Sequence, residues 1–177
     1  MSQMFPTLAP AVLPIRLPLS RQMELAHLNG FHGLDLGASQ LAAAYAGKTV
    51  RRLAGDLKFH NLRPGGWMLP FEFMSRASFN TESMRMIERA ARAAAMLHSP
   101  WCYYWIEPAS DDLSFAANAE LHVQRIRPIA DVIGAHGCKL ALEPIGPVTL
   151  RRGHLHEFVH DIPMALELLD AVARPNV

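Results

Sequence analysis

The chain has 177 residues, half of them hydrophobic, with a formal net charge of +1. That is the size of one ordinary domain with a sizeable core, and no charge excess calls for a polyanion such as nucleic acid as partner. Two cysteines, Cys102 and Cys138, lie far apart without CxxC spacing, so a disulfide framework is not expected.

Such cysteine usage fits a reducing, cytoplasmic setting. The proline-broken N-terminus lacks a signal-peptide pattern, and no uninterrupted apolar run reaches membrane-spanning length. Short apolar runs alternate with amphipathic helical segments, the pattern of parallel β/α units. An N-terminal strand is expected within residues 8–15. Ser20 is the expected cap of a helix over 21–28 that stops at Gly30. A strand follows at 33–36, then one helix over 40–57. Arg63-Pro64-Gly65-Gly66 reads as a connection into a strand at 67–69. Asn80 or Thr81 caps a long helix to His98, with Met84, Ile87, Ala91 and Ala94 on its buried face. Residues 101–106 are strongly β-prone and end at Glu107-Pro108. The helix over 114–136 carries Leu121, Ile126, Ile129 and Ile133 on one stripe, with a kink expected at Pro128. A short buried strand, Leu140-Ala141-Leu142, then places Glu143 directly before Pro144. Asp161 caps a last helix over 163–172, with Pro163 in its first turn.

These elements make five β/α units. The expected fold class is α/β, a partial (β/α)8 barrel in one domain over residues 1–177. A complete barrel takes about 250 residues, and Arg174-Pro175-Asn176-Val177 reads as the threshold of a sixth strand. Glu143 would stand at the carboxyl end of a buried strand, where α/β folds keep their chemistry. A carboxylate there needs a partner, which could be a metal, a substrate hydroxyl or an arginine such as Arg151 or Arg152.

The segment from Leu140 to Val177, above all LEPIGP-TLR-HEFVH, resembles the sugar phosphate isomerase/epimerase family of xylose isomerase-like TIM barrels. Asn118-Ala119-Glu120-Leu121-His122, Arg125 to Ala130, and Asn29 to Leu36 fit the same pattern. The resemblance implies a divalent metal (Mn, Mg, Co or Zn) held by two Glu, one Asp and one His. It also implies a sugar or sugar phosphate as substrate and proton transfer next to a carbonyl through an enediolate. Glu143 matches the first Glu ligand and the acid/base. The other three ligands have no counterpart in this chain, so metal occupancy and activity of the chain alone are not expected.

His156-Glu157-Phe158-Val159-His160 matches the HExxH pattern of zinc proteases. Gly153 just before it and the cap at Asp161 argue for a loop instead. His156 and His160 are candidates for facing substrate or ordering that loop, and exposed loop histidines are as good a reading. Glu107 is a second strand-end carboxylate that could bind substrate hydroxyls or only form a surface ion pair. Asp35 has a similar placement and a weaker claim. Trp105, with Trp67, could wall a sugar ring, although strand aromatics are more often core. On the same scaffold an inosose dehydratase-like lyase is a rival. An endonuclease IV-like phosphodiesterase is disfavoured by the near-neutral charge. A non-catalytic half-barrel that associates through its unpaired strand edges is the rival from outside enzymology.

Overall fold

The computed structural model describes residues 4–14, 16–70 and 79–177. Five parallel strands form one sheet in sequential order: β1 (Thr7–Leu8), β2 (Gly33–Gly37), β3 (Arg63–Met68), β4 (Trp101–Ile106) and β6 (Lys139–Pro144). Each neighbour is reached through helical connections: α1 (Leu19–Leu28), α2 (Ala38–Ala46) with α3 (Val50–Phe59), α4 (Thr81–Met96), and α5 (Phe115–Gly134). A last helix, α6 (Ile162–Val172), follows β6. Two short strands, β5 (Ala109–Ser110) and β7 (His156–Glu157), pair antiparallel outside the main sheet.

The helices pack on one face of the sheet. Ile87, Ala90, Ala91, Ala93 and Ala94 of α4 are all buried, as are Ala38, Leu41 and Ala42 of α2. Alanine at the contact lets the two helix axes come close. Asn80 caps α4 by accepting from the Glu82 and Ser83 amides, and Asp161 caps α6 by accepting from Met164. Both caps stand where the sequence places them.

Several boundaries differ from expectation for identifiable reasons. The helix expected over 40–57 is two helices, because Lys48 adopts φ 55° in the Gly47-Lys48-Thr49 turn and breaks the helical path. The first helix starts at Leu19 with Pro18 before it, so Ser20 lies inside it rather than capping it. The N-terminal strand is short and ends at Leu8, where Pro10 opens a tight turn; Ile15, the far limit of the expected strand, lies outside the described residues. In α5 the buried stripe begins with Asn118 and His122 instead of Leu121, because Phe158 packs its ring against His122.

β3 begins at Arg63, four residues earlier than expected. Leu34 lies beside Pro64 and Leu36 beside Trp67, so Gly65 and Gly66 together oppose Asp35 in a bulge. Glycine inside a strand marks close approach of another group, and here that group is the Asp35 side chain. At the other edge of the sheet, the Leu140 amide donates to the Asn176 carbonyl at 2.7 Å, which lays the last residues against the start of β6.

Candidate active-site wall at the carboxyl ends of the strands

In a parallel sheet all carboxyl ends lie on one side, so the residues that close the strands share a mouth. Side chains alternate across each strand. In β4, Cys102, Tyr104 and Ile106 are buried beneath the helices, leaving Trp101, Tyr103 and Trp105 on the opposite, concave face. In β6, Leu140 is buried and Lys139, Ala141 and Glu143 take the concave face. Strand registry sets Trp101 beside Lys139, Tyr103 beside Ala141 and Trp105 beside Glu143. Lys139 Nζ stands 5.3 Å from the Trp101 ring centre at the amino end of this wall. Glu143 and Trp105 stand together at its carboxyl end.

Glu143 is exposed and has no ion pair or side-chain hydrogen bond among the described residues. Arg151, one of the two arginines considered as its partner, is engaged elsewhere. Its Nε lies 3.2 Å from Glu157 Oε2, and its guanidinium donates to the Gly146 carbonyl at 2.7 Å. Glu107 is exposed just beyond β4. Burial first, and the Glu107 charge second, push the Tyr104 phenol up. Trp67 is fully buried on the helix side and does not wall the mouth.

His156 and Glu157 form β7, with Ala109 beside Glu157 and Ser110 beside His156. The following residues, 158–160, are irregular, so the HExxH pattern is not helical and its two histidines do not share a helix face. The loop is fastened by Phe158, which is buried, donates from its amide to the Pro108 carbonyl at 2.7 Å, and packs against Phe115 and His122. Asp111 adds a second fastening: it accepts from the Leu155 amide at 2.9 Å and meets His154 Nδ1 at 3.0 Å. Those bonds hold the Asp111 carboxyl below its usual range. His160 Nδ1 is 2.7 Å from the Phe158 carbonyl, so that ring is positioned by its own loop.

Sequence reasoning passed over Tyr103 and gave Asp35 little weight. Asp35 reaches across β3: Oδ1 accepts from the Gly66 amide at 2.8 Å and Oδ2 from the Tyr103 hydroxyl at 3.0 Å. Burial pushes the Asp35 carboxyl up, and the two hydrogen bonds partly offset this. Burial, the Asp35 charge and its hydrogen bond push the Tyr103 phenol up, and the Glu143 charge adds to the shift. Tyr103 therefore lies between the carboxylates of β2 and β6. The available signal was the Pro-Gly-Gly doublet, which reads as a turn but can also mark a strand crossed by a neighbour's side chain.

Among the described residues, no three His, Cys, Asp or Glu side chains are grouped so that they could hold a metal ion. Glu143 belongs to no such group, so the described residues do not make up a complete divalent metal centre around it. Among the described residues, no helix is long and apolar enough to cross a membrane.

This architecture is that of a partial xylose isomerase-like TIM barrel. The chain matches a xylose isomerase domain protein from Alicyclobacillus acidocaldarius with a TM-score of 0.81 and 22% identity, over 97% of this chain and 61% of that one. It matches D-psicose 3-epimerase from Clostridium cellulolyticum H10 with a TM-score of 0.72 and 14% identity, over 98% and 62%. It also matches the IolI protein, solved with a bound zinc atom, with a TM-score of 0.68 and 16% identity, over 98% and 61%. The chain thus spans about three fifths of the length of these structures. No protein-family model matches the sequence, and no curated protein matches it.

Proposed function

We propose that this chain supplies one wall of a sugar isomerase- or epimerase-type active site, with Glu143 as the carboxylate that moves a proton next to a substrate carbonyl. The observation that carries this reading is the placement of Glu143: exposed, at the carboxyl end of its strand, and in register with Trp105. A carboxylate so placed can reach a bound ligand and act as general base. The matching epimerase and the zinc-bound neighbour support this choice among the chemistries such a fold hosts. A small polyhydroxylated carbonyl compound, a sugar or sugar phosphate, fits a mouth with an aromatic ring beside a carboxylate. Glu107, His156 and His160 stand on the segments around that mouth and would bind its hydroxyls.

A divalent metal at Glu143 needs donors beyond those present among the described residues. The isolated chain would hold one weakly through a single carboxylate. Two measurements test the reading. Under Mn²⁺, NMR line broadening is expected to centre on the amides around Glu143 and Trp105 and to vanish in Glu143→Gln; broadening centred elsewhere, or unchanged in the variant, refutes the assignment. With D-fructose in heavy water, the isolated chain is expected to give no exchange of the proton next to the carbonyl beyond that of Glu143→Gln. Exchange that survives the substitution would remove Glu143 from the chemistry, and exchange lost with it would show that the site is complete without further donors.

A further inference from the structure

A cavity of about 660 Å³ opens at the carboxyl ends of β1 and β2. Its lining includes the apolar Pro10 and Leu13 and the polar Arg16, Gln40, Asp35 and Tyr103. The Asp35–Tyr103 pair is built with some care. The strand between them carries glycine at two successive positions, and a Cβ at Gly65 would lie 2.1 Å from Asp35 Oδ1. A Cβ at Gly66 would lie 3.1 Å from Tyr103 Cε1. The doublet therefore holds the crossing open.

From this arrangement we propose that Asp35 and Tyr103 form a hydroxyl-binding subsite that takes a neutral polyhydroxylated ligand in the cavity beside β2. The proposal rests on the sugar-site reading above and adds a second contact area, on β2 and β4, to Glu143 on β6. Each Asp35 oxygen already holds one donor, the Gly66 amide or the Tyr103 hydroxyl, and a carboxylate oxygen can accept another. The Tyr103 oxygen, having donated its proton to Asp35, also presents lone pairs. The pair is thus rich in acceptors, which suits ligand hydroxyls. A partly buried carboxylate repels an anionic group placed against it, so the neutral end of a sugar belongs here. Pro10 and Leu13 would pack against the ring or chain carbons. A subsite built to bond hydroxyls discriminates strongly against a ligand that lacks them.

The test is an NMR titration of the isolated chain with D-fructose and with myo-inositol, following the Gly37 and Gly66 amides and the Tyr103 ring. Shifts are expected to centre on these groups. Asp35→Asn should weaken binding about tenfold, the loss of a hydrogen bond to a charged group, and Tyr103→Phe by about threefold to tenfold, the loss of one to a neutral hydroxyl. Ser39→Trp, at an exposed position of the lining, should block the cavity without touching the pair. Near-ultraviolet circular dichroism checks that each variant is folded, and Ser39→Trp keeps the question open if Asp35→Asn does not fold. The proposal is overturned if neither sugar shifts these resonances, or if the folded variants bind like the original chain. If Asp35→Asn weakens sugar binding while Mn²⁺ broadening ignores Glu143→Gln, the subsite stands and the Glu143 assignment falls. If sugar binding depends on Glu143 and not on Asp35 or Tyr103, the subsite falls and the Glu143 assignment stands.

Discussion

Replacing Gly65 by alanine tests the strand-crossing geometry that the candidate site depends on. The added Cβ would sit 2.1 Å from Asp35 Oδ1, 2.5 Å from Thr7 Cγ2 and 3.2 Å from the Leu34 carbonyl oxygen. The backbone cannot simply retreat, because the Gly65 carbonyl accepts from the buried Ser99 hydroxyl and the next amide is held by Asp35. If β3 shifts, the overpacking costs about 1–3 kcal/mol. If Asp35 swings away instead, it gives up bonds from Gly66 and Tyr103, each worth about 1.5–3 kcal/mol when the acceptor is charged. The half-buried, solvent-reachable position of Asp35 favours the low end of that range. We expect Gly65→Ala to lose about 2–4 kcal/mol of stability. Gly55→Ala is the matched control: it lies inside α3 with nothing within 4 Å of the new Cβ, and should gain about 0.5–1 kcal/mol. Urea unfolding reads both, with an unchanged m-value as the sign that only stability moved. On an Asp35→Ala background the worst contact is gone, so the Gly65→Ala penalty should shrink by about 1 kcal/mol or more. A Gly65→Ala protein as stable as the original, or an equal penalty on both backgrounds, would refute the argument.

Three other outcomes follow from the same structure. Phe158→Ala should cost about 3–5 kcal/mol and speed amide exchange in β5 and β7; unchanged protection there would show that Phe158 does not fasten the loop. His122 is buried, with Nδ1 2.9 Å from the Asn118 carbonyl and no hydrogen bond at Nε2 among the described residues, and burial holds its pKa below the usual value. The unfolded chain therefore takes this proton first, so stability should fall as pH drops below about 6.5, by at most about 1.4 kcal/mol per pH unit from this group. His122→Phe should flatten that slope over pH 5–7, and an identical slope in both proteins would exclude His122 as its source. Finally, apart from the bond between Leu140 and Asn176 at its start, β6 pairs with no strand but β4 among the described residues, so sedimentation should show concentration-dependent association through that edge; a monomer at all concentrations counts against it.

The sequence carried the fold further than it carried the site. Strands at 33–36, 101–106 and 140–143 and the caps at Asn80 and Asp161 were legible because alternation, β-propensity and side-chain capping are local properties. The break at Lys48 was not, since a left-handed residue after Gly47 leaves little trace in an alanine-rich run. Gly65 and Gly66 misled for a related reason. Glycine in isolation signals a turn, and only the neighbouring strands reveal that it makes room for Asp35. Glu143 was visible because a proline follows it directly. The Asp35–Tyr103 pair joins residues far apart in the chain, so no local pattern announces it.

The placement of these groups also divides their labour. Burial and the negative charge of Asp35 both oppose ionisation of Tyr103, and Glu143 adds to that opposition. The phenol therefore stays protonated at neutral pH and can only donate or accept hydrogen bonds. Asp35 is tied by two donors, so taking a proton from a ligand would weaken bonds that already hold it in place. Glu143 carries no such ties among the described residues and stands exposed at the strand end. Of the two carboxylates on this wall, Asp35 is thus suited to holding a hydroxyl and Glu143 to moving a proton. This assignment rests on how each group is bonded rather than on its residue type. It implies that Asp35→Asn and Glu143→Gln, chemically the same kind of change, should separate: both substitutions touch the sugar site, but only the second should remove Mn²⁺ contact.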